Sequence, residues 1–503
     1  MKHTIIYISV IFTALFSACG DEFFETSPAT QITTPEVYSS IDNIDAVING
    51  AIRYLVENTS TQANPGLPAL FLSHEVMGDD AFAREGRYGY RDTYPYRDPF
   101  DNNNSTRSVF FWTLQYKSID HANNVIANVD ENDGTKFGHL KGQAYALRAF
   151  NYLNLVRQYQ FTYAKDPTAK AVPVYTEPTT PNTEPKPRAT VQEIYDRILS
   201  DLREAERLLP GYEREVKNRP DLNVVYGLFA RTYLTLEEWS LAADYAAKAR
   251  NGYPIMTAQQ YTEGFNDASN AEWIWGHPQT RTQNRDIYSY FGYIETTPYT
   301  VNAQGINTYY AYSSIMPDPY FIASFEEGDI RKSLFEIATQ PSEMLYAHYR
   351  YKKFRNKYPD HDGHIVLMRS SEMALIEAES KARLHDADGA IAALNELRSN
   401  RNLSDLSASS FPENQRLIDE ILLERRRELW GEGFRTYDIL RLQTAPVRRE
   451  TSETFIDDDG KTAAVKGHWI TKFPDGSDLT PNSRYYIFPI PLNEINNNPN
   501  LNK

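Results

Sequence analysis

Apolar residues recur at three- and four-residue intervals along most of this chain, the spacing that lines one face of an α-helix. Between Asp42 and Asn58 the stripe is Ile44, Val47, Ile48, Ala51, Ile52 and Leu55. The same period predicts a helix from Ser108 to Val129 and another from Leu140 to Tyr159. Thr190-Val191-Gln192-Glu193 has the form of a capping box, with Thr at the cap and Glu three residues on. It opens a helix to Leu209, which Pro210-Gly211 stops. Alternation of apolar and polar residues is confined to short pieces such as Glu272 to Gly276.

Two stretches repeat one another. Leu222 to Leu236 and Ser240 to Asn251 form a helix pair joined by Glu237-Glu238-Trp239. Glu372 to Leu384 and Gly389 to Ser399 form a second, joined by His385-Asp386-Ala387-Asp388. Small residues mark the facing sides: Ala230, Ala242, Ala243, Ala246 and Ala249 in the first, Ala378, Ala382, Ala390 and Ala393 in the second. Helix pairs of about 34 residues with this pattern resemble tetratricopeptide units, which stack into a superhelix. Residues 108–159 and 416–442 read as diverged copies. The expected fold is therefore mainly α, a helical-repeat superhelix.

The span from Tyr253 to Asp362 breaks the pattern. It is rich in Tyr, Asn, Pro and Gly, and its aromatic content argues for an ordered, functional excursion rather than disorder. Ala83 to Asn104 has the same character, and Pro173 to Pro187 reads as a surface connection.

At the amino terminus the apolar run Ile5 to Ala18 is too short to span a bilayer and fits a secretory leader. It ends at Cys19, the chain's single cysteine, preceded by two small residues. That is the pattern of a lipoprotein cleavage site, with residues 1–18 removed and the Cys19 thiol lipidated. No second cysteine exists to pair with it, so stability must come from packing. Removing the leader takes away Lys2 alone, changing 52 basic against 67 acidic residues (−15) to 51 against 67 (−16). A surface so acidic argues against nucleic acid as a partner.

The 35 tyrosines concentrate the candidate chemistry. In the first loop Arg84, Arg87, Arg91 and Arg97 interleave with Tyr88, Tyr90, Tyr94 and Tyr96. Such a surface stacks on the CH face of a sugar ring and forks donors onto its hydroxyl or carboxylate oxygens. A loop folded over the core, its arginines paired with Glu85, Asp92 and Asp98, explains it equally well. The second cluster holds Tyr288, Tyr290 and Tyr293, followed by Asn302, Asn307, Tyr309, Tyr310 and Tyr312. Here the aromatic density in a non-periodic loop favours binding. The nominated ligand contacts are Arg87, Tyr88, Tyr90, Arg91, Tyr94, Tyr96, Tyr288, Tyr290, Tyr293 and Tyr309. Trp273 and Trp275 read as packing residues of an extended segment with one buried face. No catalytic, metal or cofactor site is expected. The pairs Asp79-Asp80 and Glu326-Glu327 fit ion-paired or solvated roles, His361-Asp362-Gly363-His364 a polar loop, and Asp457-Asp458-Asp459-Gly460 a tight turn.

The carboxy-terminal half carries a resemblance. Glu424-Arg425-Arg426-Arg427-Glu428-Leu429-Trp430-Gly431-Glu432-Gly433-Phe434-Arg435, continuing to Tyr437-Asp438-Ile439-Leu440-Arg441, is similar to the signature of the SusD/RagB family. Arg369 to Glu379, Tyr486 to Ile495, Gly142 to Ala149 and Asp201 to Pro210 resemble further segments of that family in the same order. Opposite charges at helical spacing, and glycines at a tight turn, give the signature a scaffold role. The resemblance implies a SusD-like superhelix in two parts, 19–252 and 253–503, with the irregular ligand-binding region at 253–362. It implies an outer-membrane lipoprotein that captures oligosaccharides and passes them to a SusC-like TonB-dependent transporter. Asp21 and Glu22 resemble the signal for surface export. A RagB-like peptide carrier, a surface glycoside hydrolase and a scaffold without ligand contacts are the alternatives.

Overall fold

A computed structural model describes residues 34–57, 64–98, 105–284, 288–295, 299–301, 307–309, 312–340, 343–357, 362–451, 453–456, 460 and 462–502. The leader, Cys19, Asp21, Glu22, Asn302, Tyr310, His361 and Asp457 to Asp459 lie outside them.

Long helices dominate, most of them at the places the periodicity marks, with Leu67–Val76 an addition to that reading. They are α1 (Ile41–Val56), α2 (Leu67–Val76), α3 (Thr106–Asn128), α4 (Thr135–Tyr159), α5 (Val191–Leu208), α6 (Leu222–Thr235) and α7 (Trp239–Arg250). After the excursion come α8 (Ser370–Arg383), α9 (Ala387–Ser399), α10 (Asn414–Leu429) and α11 (Arg435–Arg441). Thr190 caps α5 as its sequence requires: its hydroxyl accepts from the Glu193 amide, and the Glu193 carboxylate accepts from the Thr190 amide. Each helix from α3 to α9 packs on the next, and α7 packs directly on α8. The superhelix therefore runs straight across the point where the chain departs for more than a hundred residues. Ala242, Ala246 and Ala249 on α7, with Ala378 and Ala382 on α8, are fully buried. Small side chains let the helices of neighbouring repeats approach closely.

The excursion contains regular strands that its sequence does not announce. Strand Trp273–His277 leaves the superhelix and pairs antiparallel with strand Ile365–Arg369, which leads back into α8. Trp273, Ile274 and Trp275 are all buried, so this strand has two covered faces rather than the one expected. A four-stranded sheet, in the order Thr454–Ile456, Thr462–Lys466, Glu343–Tyr351, Phe335–Gln340, also escapes the periodicity; it joins two local hairpins through a parallel pairing of strands more than a hundred residues apart. Residues 416–442 do not form a repeat pair: α11 has seven residues and packs on α2. The redirecting turn uses Gly433 at φ 85°, where an added Cβ would come within 2.5 Å of the Phe71 Cα.

The signature charges have a role that helical spacing does not capture. Glu428 on α10 accepts from Arg369 at 2.7 Å, Arg401 at 2.7 Å and Arg331 at 3.0 Å, all of them fully buried. Arg369 also holds Glu272 at 2.9 Å and Glu432 at 2.8 Å, and Lys353 holds Glu432 at 2.7 Å. Arg331 reaches Asp329 and Glu424 as well. Among the described residues, Arg427 keeps its pairs with Glu424 at 3.2 Å and Glu420 at 3.3 Å on the helix itself. The network ties Glu272, Asp329, Arg331 and Lys353 of the excursion to α10, fixing the irregular region on the superhelix.

A second buried carboxyl is held by the backbone rather than by a cation. Glu75, on α2, accepts from the Gly433 amide at 2.8 Å, and burial pushes its pKa up to about 8. Its folded-state value lies above the ordinary glutamate value of 4.5. The stability that goes with the protonated form is complete below about pH 4.5. It is lost as the pH rises towards 8, at about 1.4 kcal/mol for each pH unit crossed. Glu75→Gln keeps the acceptor and removes the charge, so its thermal midpoint should exceed wild type at pH 8 and approach it at pH 5. Parallel wild-type and mutant curves across that range would refute a neutral Glu75.

Candidate functional site

The two tyrosine-rich segments meet. Strand Ala81–Ala83 pairs antiparallel with strand Ile315–Pro317. The Arg84 amide donates to the Ser314 carbonyl at 2.7 Å, and the Ser314 hydroxyl donates to the Tyr88 carbonyl at 2.8 Å. On the other side the amides of Tyr312 and Ser314 donate to the carbonyls of Gly292 and Tyr293, at 2.6 and 2.9 Å. Ser289 caps the short helix Tyr290–Ile294, its hydroxyl accepting from the Gly292 amide at 3.0 Å. Three chain segments are thus pinned by backbone bonds around one group of rings.

Those rings form a stack that begins in the core and ends at the surface. The Arg107 guanidinium lies 4.6 Å from the Tyr90 centroid, and Tyr90 meets Tyr293 edge-on at 5.4 Å. Tyr293 stacks on Tyr312 at 5.5 Å with their planes 9° apart. Tyr312 in turn touches Tyr88 at 5.7 Å and Tyr288 at 6.0 Å. Tyr88 is 37% exposed, while Tyr288 and Tyr312 are half-buried. Gly89 is obligatory here, since φ is 119° and a Cβ would lie 2.6 Å from the Tyr293 ring. The outcome is an aromatic shelf of Tyr88, Tyr312 and Tyr288, held at fixed angles by rings that never reach solvent. Flat apolar faces carrying polar tips, already ordered, suit a sugar ring.

Five of the eight nominated tyrosines prove to be core. Tyr90 and Tyr293 form the buried part of the stack. The Tyr94 hydroxyl lies 3.0 Å from the His468 Nδ1 and accepts from the amides of Trp469 and Ile470. The Tyr96 hydroxyl donates to the Met77 carbonyl at 2.7 Å, and the Arg448 guanidinium lies 4.5 Å from the rings of both Tyr94 and Tyr96. Tyr290 donates to the Gly431 carbonyl at 3.1 Å. Each is buried, with its faces against other side chains, so none of the five is a first contact for a ligand. Arg87 and Arg91 are exposed, and Arg91 and Arg97 lie 3.7 Å from the Asp92 carboxylate. Tyr309 lies on a strand pair opposite Tyr299. Tyr312, in the sequence cluster but not among the nominated contacts, is the hub of the shelf.

The acidic pairs are scaffold as well. Asp79 accepts from Arg435 at 2.6 Å, Asp80 from Arg426 at 2.5 Å and Glu326 from Arg398 at 2.6 Å. Glu326, Glu420 and Glu424 have oxygens within 4.8 Å of one another, but Arg398, Arg427 and Arg331 supply the balancing charge. The His364 Nδ1 accepts from the Ala268 amide at 2.9 Å, a structural bond. Among the described residues no helix is long and apolar enough to cross a membrane.

Residues 22–234 match a family described as starch-binding and associating with the outer membrane, and residues 238–503 match the SusD family. Two SusD-like proteins of Formosa agariphila are similar to the chain. One is 26% identical over 390 residues, covering 68% of this chain and 75% of its own length. The other is 24% identical over 547 residues, covering 99% and 98%. Among solved structures, a SusD-like carbohydrate binding protein from Bacteroides vulgatus superimposes with a TM-score of 0.84 at 36% identity, covering 92% of this chain and 97% of that one. A sugar binding protein so described from the same species superimposes at 0.75 with 24% identity, covering 92% and 97%, a likeness of fold.

Proposed function

The chain belongs to the SusD family, and from that premise we propose that it is a glycan-binding lipoprotein of the outer membrane, capturing oligosaccharides at the cell surface. The observation that carries the reading is the exposed shelf of Tyr88, Tyr312 and Tyr288, backed by Tyr293. The carbohydrate-binding description of the Bacteroides vulgatus relative supports the same ligand class. Capture rather than catalysis fits Asp79, Asp80 and Glu326, each of which is committed to an arginine. Single shallow sites bind weakly, and many copies on one cell offset that through multivalency. In this reading the lipid on Cys19 holds the protein in the membrane beside a SusC-like TonB-dependent transporter, which accepts the glycan.

Native gels containing soluble polysaccharides test it. The detergent-solubilised protein should be retarded by at least one of them. The Cys19→Ala chain should appear in the soluble fraction of cells and show the same retardation. Absence of retardation across starch, other neutral glucans and acidic polysaccharides would remove the glycan reading. Loss of retardation in Cys19→Ala alone would contradict an anchor separable from the site.

A further inference from the structure

Four arginines line one small cavity beside the signature helices. Arg157 comes from α4, Arg231 from α6, Arg425 from α10 and Arg441 from α11, and Tyr437 and Asp438 of α11 stand among them. The cavity measures about 30 Å³, room for a water or two or for one monatomic anion, and none for a sugar ring. It shares no residue with the aromatic shelf.

The charges around it do not balance. Among the described residues Asp438 is the one carboxylate in the lining, and it is divided between Arg425 at 2.8 Å and Arg441 at 2.7 Å. Behind the lining, Arg441 donates to both oxygens of Glu379 and Arg231 to both oxygens of Glu372, each at 2.7 Å. Glu379 also lies 3.4 Å from Arg383. Four guanidiniums of the lining thus face three carboxylates, and Arg157 is the one left over. It donates to the Leu153 carbonyl at 3.0 Å and to the Asn154 Oδ1 at 2.8 Å, and its guanidinium lies 4.0 Å from the Tyr437 centroid. Among the described residues no carboxylate pairs with it; Glu372, which bears on it at longer range, is already held by Arg231.

Two donors at the same cavity lack acceptors. The Arg425 Nη1 and the Tyr437 hydroxyl have no hydrogen-bond partner among the described residues, although the two side chains are only 4% and 9% exposed. Burial pushes the Tyr437 phenol up to about 12, so it keeps its proton and can donate. Orphaned buried donors call for an acceptor, and an uncompensated buried cation calls for a negative one. Water would satisfy the donors and leave the charge in place. A weakly hydrated guanidinium gives up its water readily to an anion.

We infer that this cavity is a binding site for a small monovalent anion, chloride, which accepts from the Arg425 Nη1 and the Tyr437 hydroxyl and balances the charge of Arg157. The site is independent of the glycan-binding reading, and either can fail without the other.

Crystals of the detergent-solubilised full chain grown in sodium bromide test it, because bromide substitutes for chloride and scatters anomalously. A peak is expected in the cavity, within about 3.5 Å of the Arg425 Nη1 and the Tyr437 hydroxyl. In solution, chloride would replace gluconate at fixed ionic strength while the thermal midpoint is followed. Wild type should gain about 2 °C relative to Arg157→Gln and to Tyr437→Phe, as each change weakens chloride about tenfold. Tyr437→Phe keeps the ring beneath Arg157, so it serves even if Arg157→Gln does not fold. A water in the cavity without an anomalous peak would overturn the inference. So would an equal response to chloride in wild type and Tyr437→Phe, which would place the effect on the general surface. A peak with no chloride-dependent gain would mean binding at crystal concentration only and would likewise remove the site.

Discussion

Replacing Glu428 by glutamine is expected to destabilise the protein by about 3–5 kcal/mol, the largest loss foreseen for any single conservative change. The carboxylate is the shared acceptor of Arg331, Arg369 and Arg401, and all four side chains are fully buried. Burial alone would raise its pKa, but the guanidiniums of Arg401, Arg369 and Arg331 more than offset that and hold it well below the usual range. The charge therefore persists at every pH above the ordinary glutamate value, and its contribution to stability is lost progressively as the pH falls from that value towards the depressed one. Glutamine keeps the shape but leaves three guanidiniums with one anion fewer, and a buried cation without compensation is costly. The measurement is the urea-unfolding midpoint, with Glu413→Gln as control. Glu413 lies in an exposed pair 3.9 Å from Arg416, so that change should stay within about 0.5 kcal/mol. A loss below about 1 kcal/mol for Glu428→Gln would mean that the network does not hold the excursion in place.

Removing Tyr88 and Tyr312 together should abolish glycan retardation while leaving the fold intact. Tyr312 touches both surface rings and stacks on Tyr293, so it contributes a face and also sets the angle of its neighbours. Truncating a central aromatic contact commonly costs more than about 1.4 kcal/mol, or tenfold in affinity. Tyr312→Ala alone should therefore weaken binding about tenfold, and the double variant about a hundredfold, beyond what gel retardation detects. Tyr94→Ala should behave differently, losing thermal stability first, because it removes the acceptor of two backbone amides and a ring beneath Arg448. Undiminished retardation in a folded double variant would move the site away from the shelf.

The contrast between Tyr88 and its neighbours shows where the sequence stops being informative. Helices α3 to α9 were legible because 3.6-residue periodicity, the Thr190 capping box and the alanine stripes are local signals. The fate of a loop tyrosine is not local. Tyr88 and Tyr90 are two residues apart, yet one is exposed and the other buried, and what separates them is Arg107 on α3 and Tyr293 in the excursion. The same holds for the signature on α10. Its charges sit at spacings that suggest pairing along the helix, but Glu428 finds Arg369 and Arg331 at sequence distances of 59 and 97.

The strand pair Trp273–His277 with Ile365–Arg369, together with the direct seating of α7 on α8, clasps the two ends of the departing chain side by side. The excursion therefore behaves as a replaceable cassette. Lengthening a closed loop costs little, about 0.6 kcal/mol for each doubling. Surface loops between the clasp and the points gripped by Arg331 and Lys353 can therefore lengthen or shorten while the superhelix keeps its register.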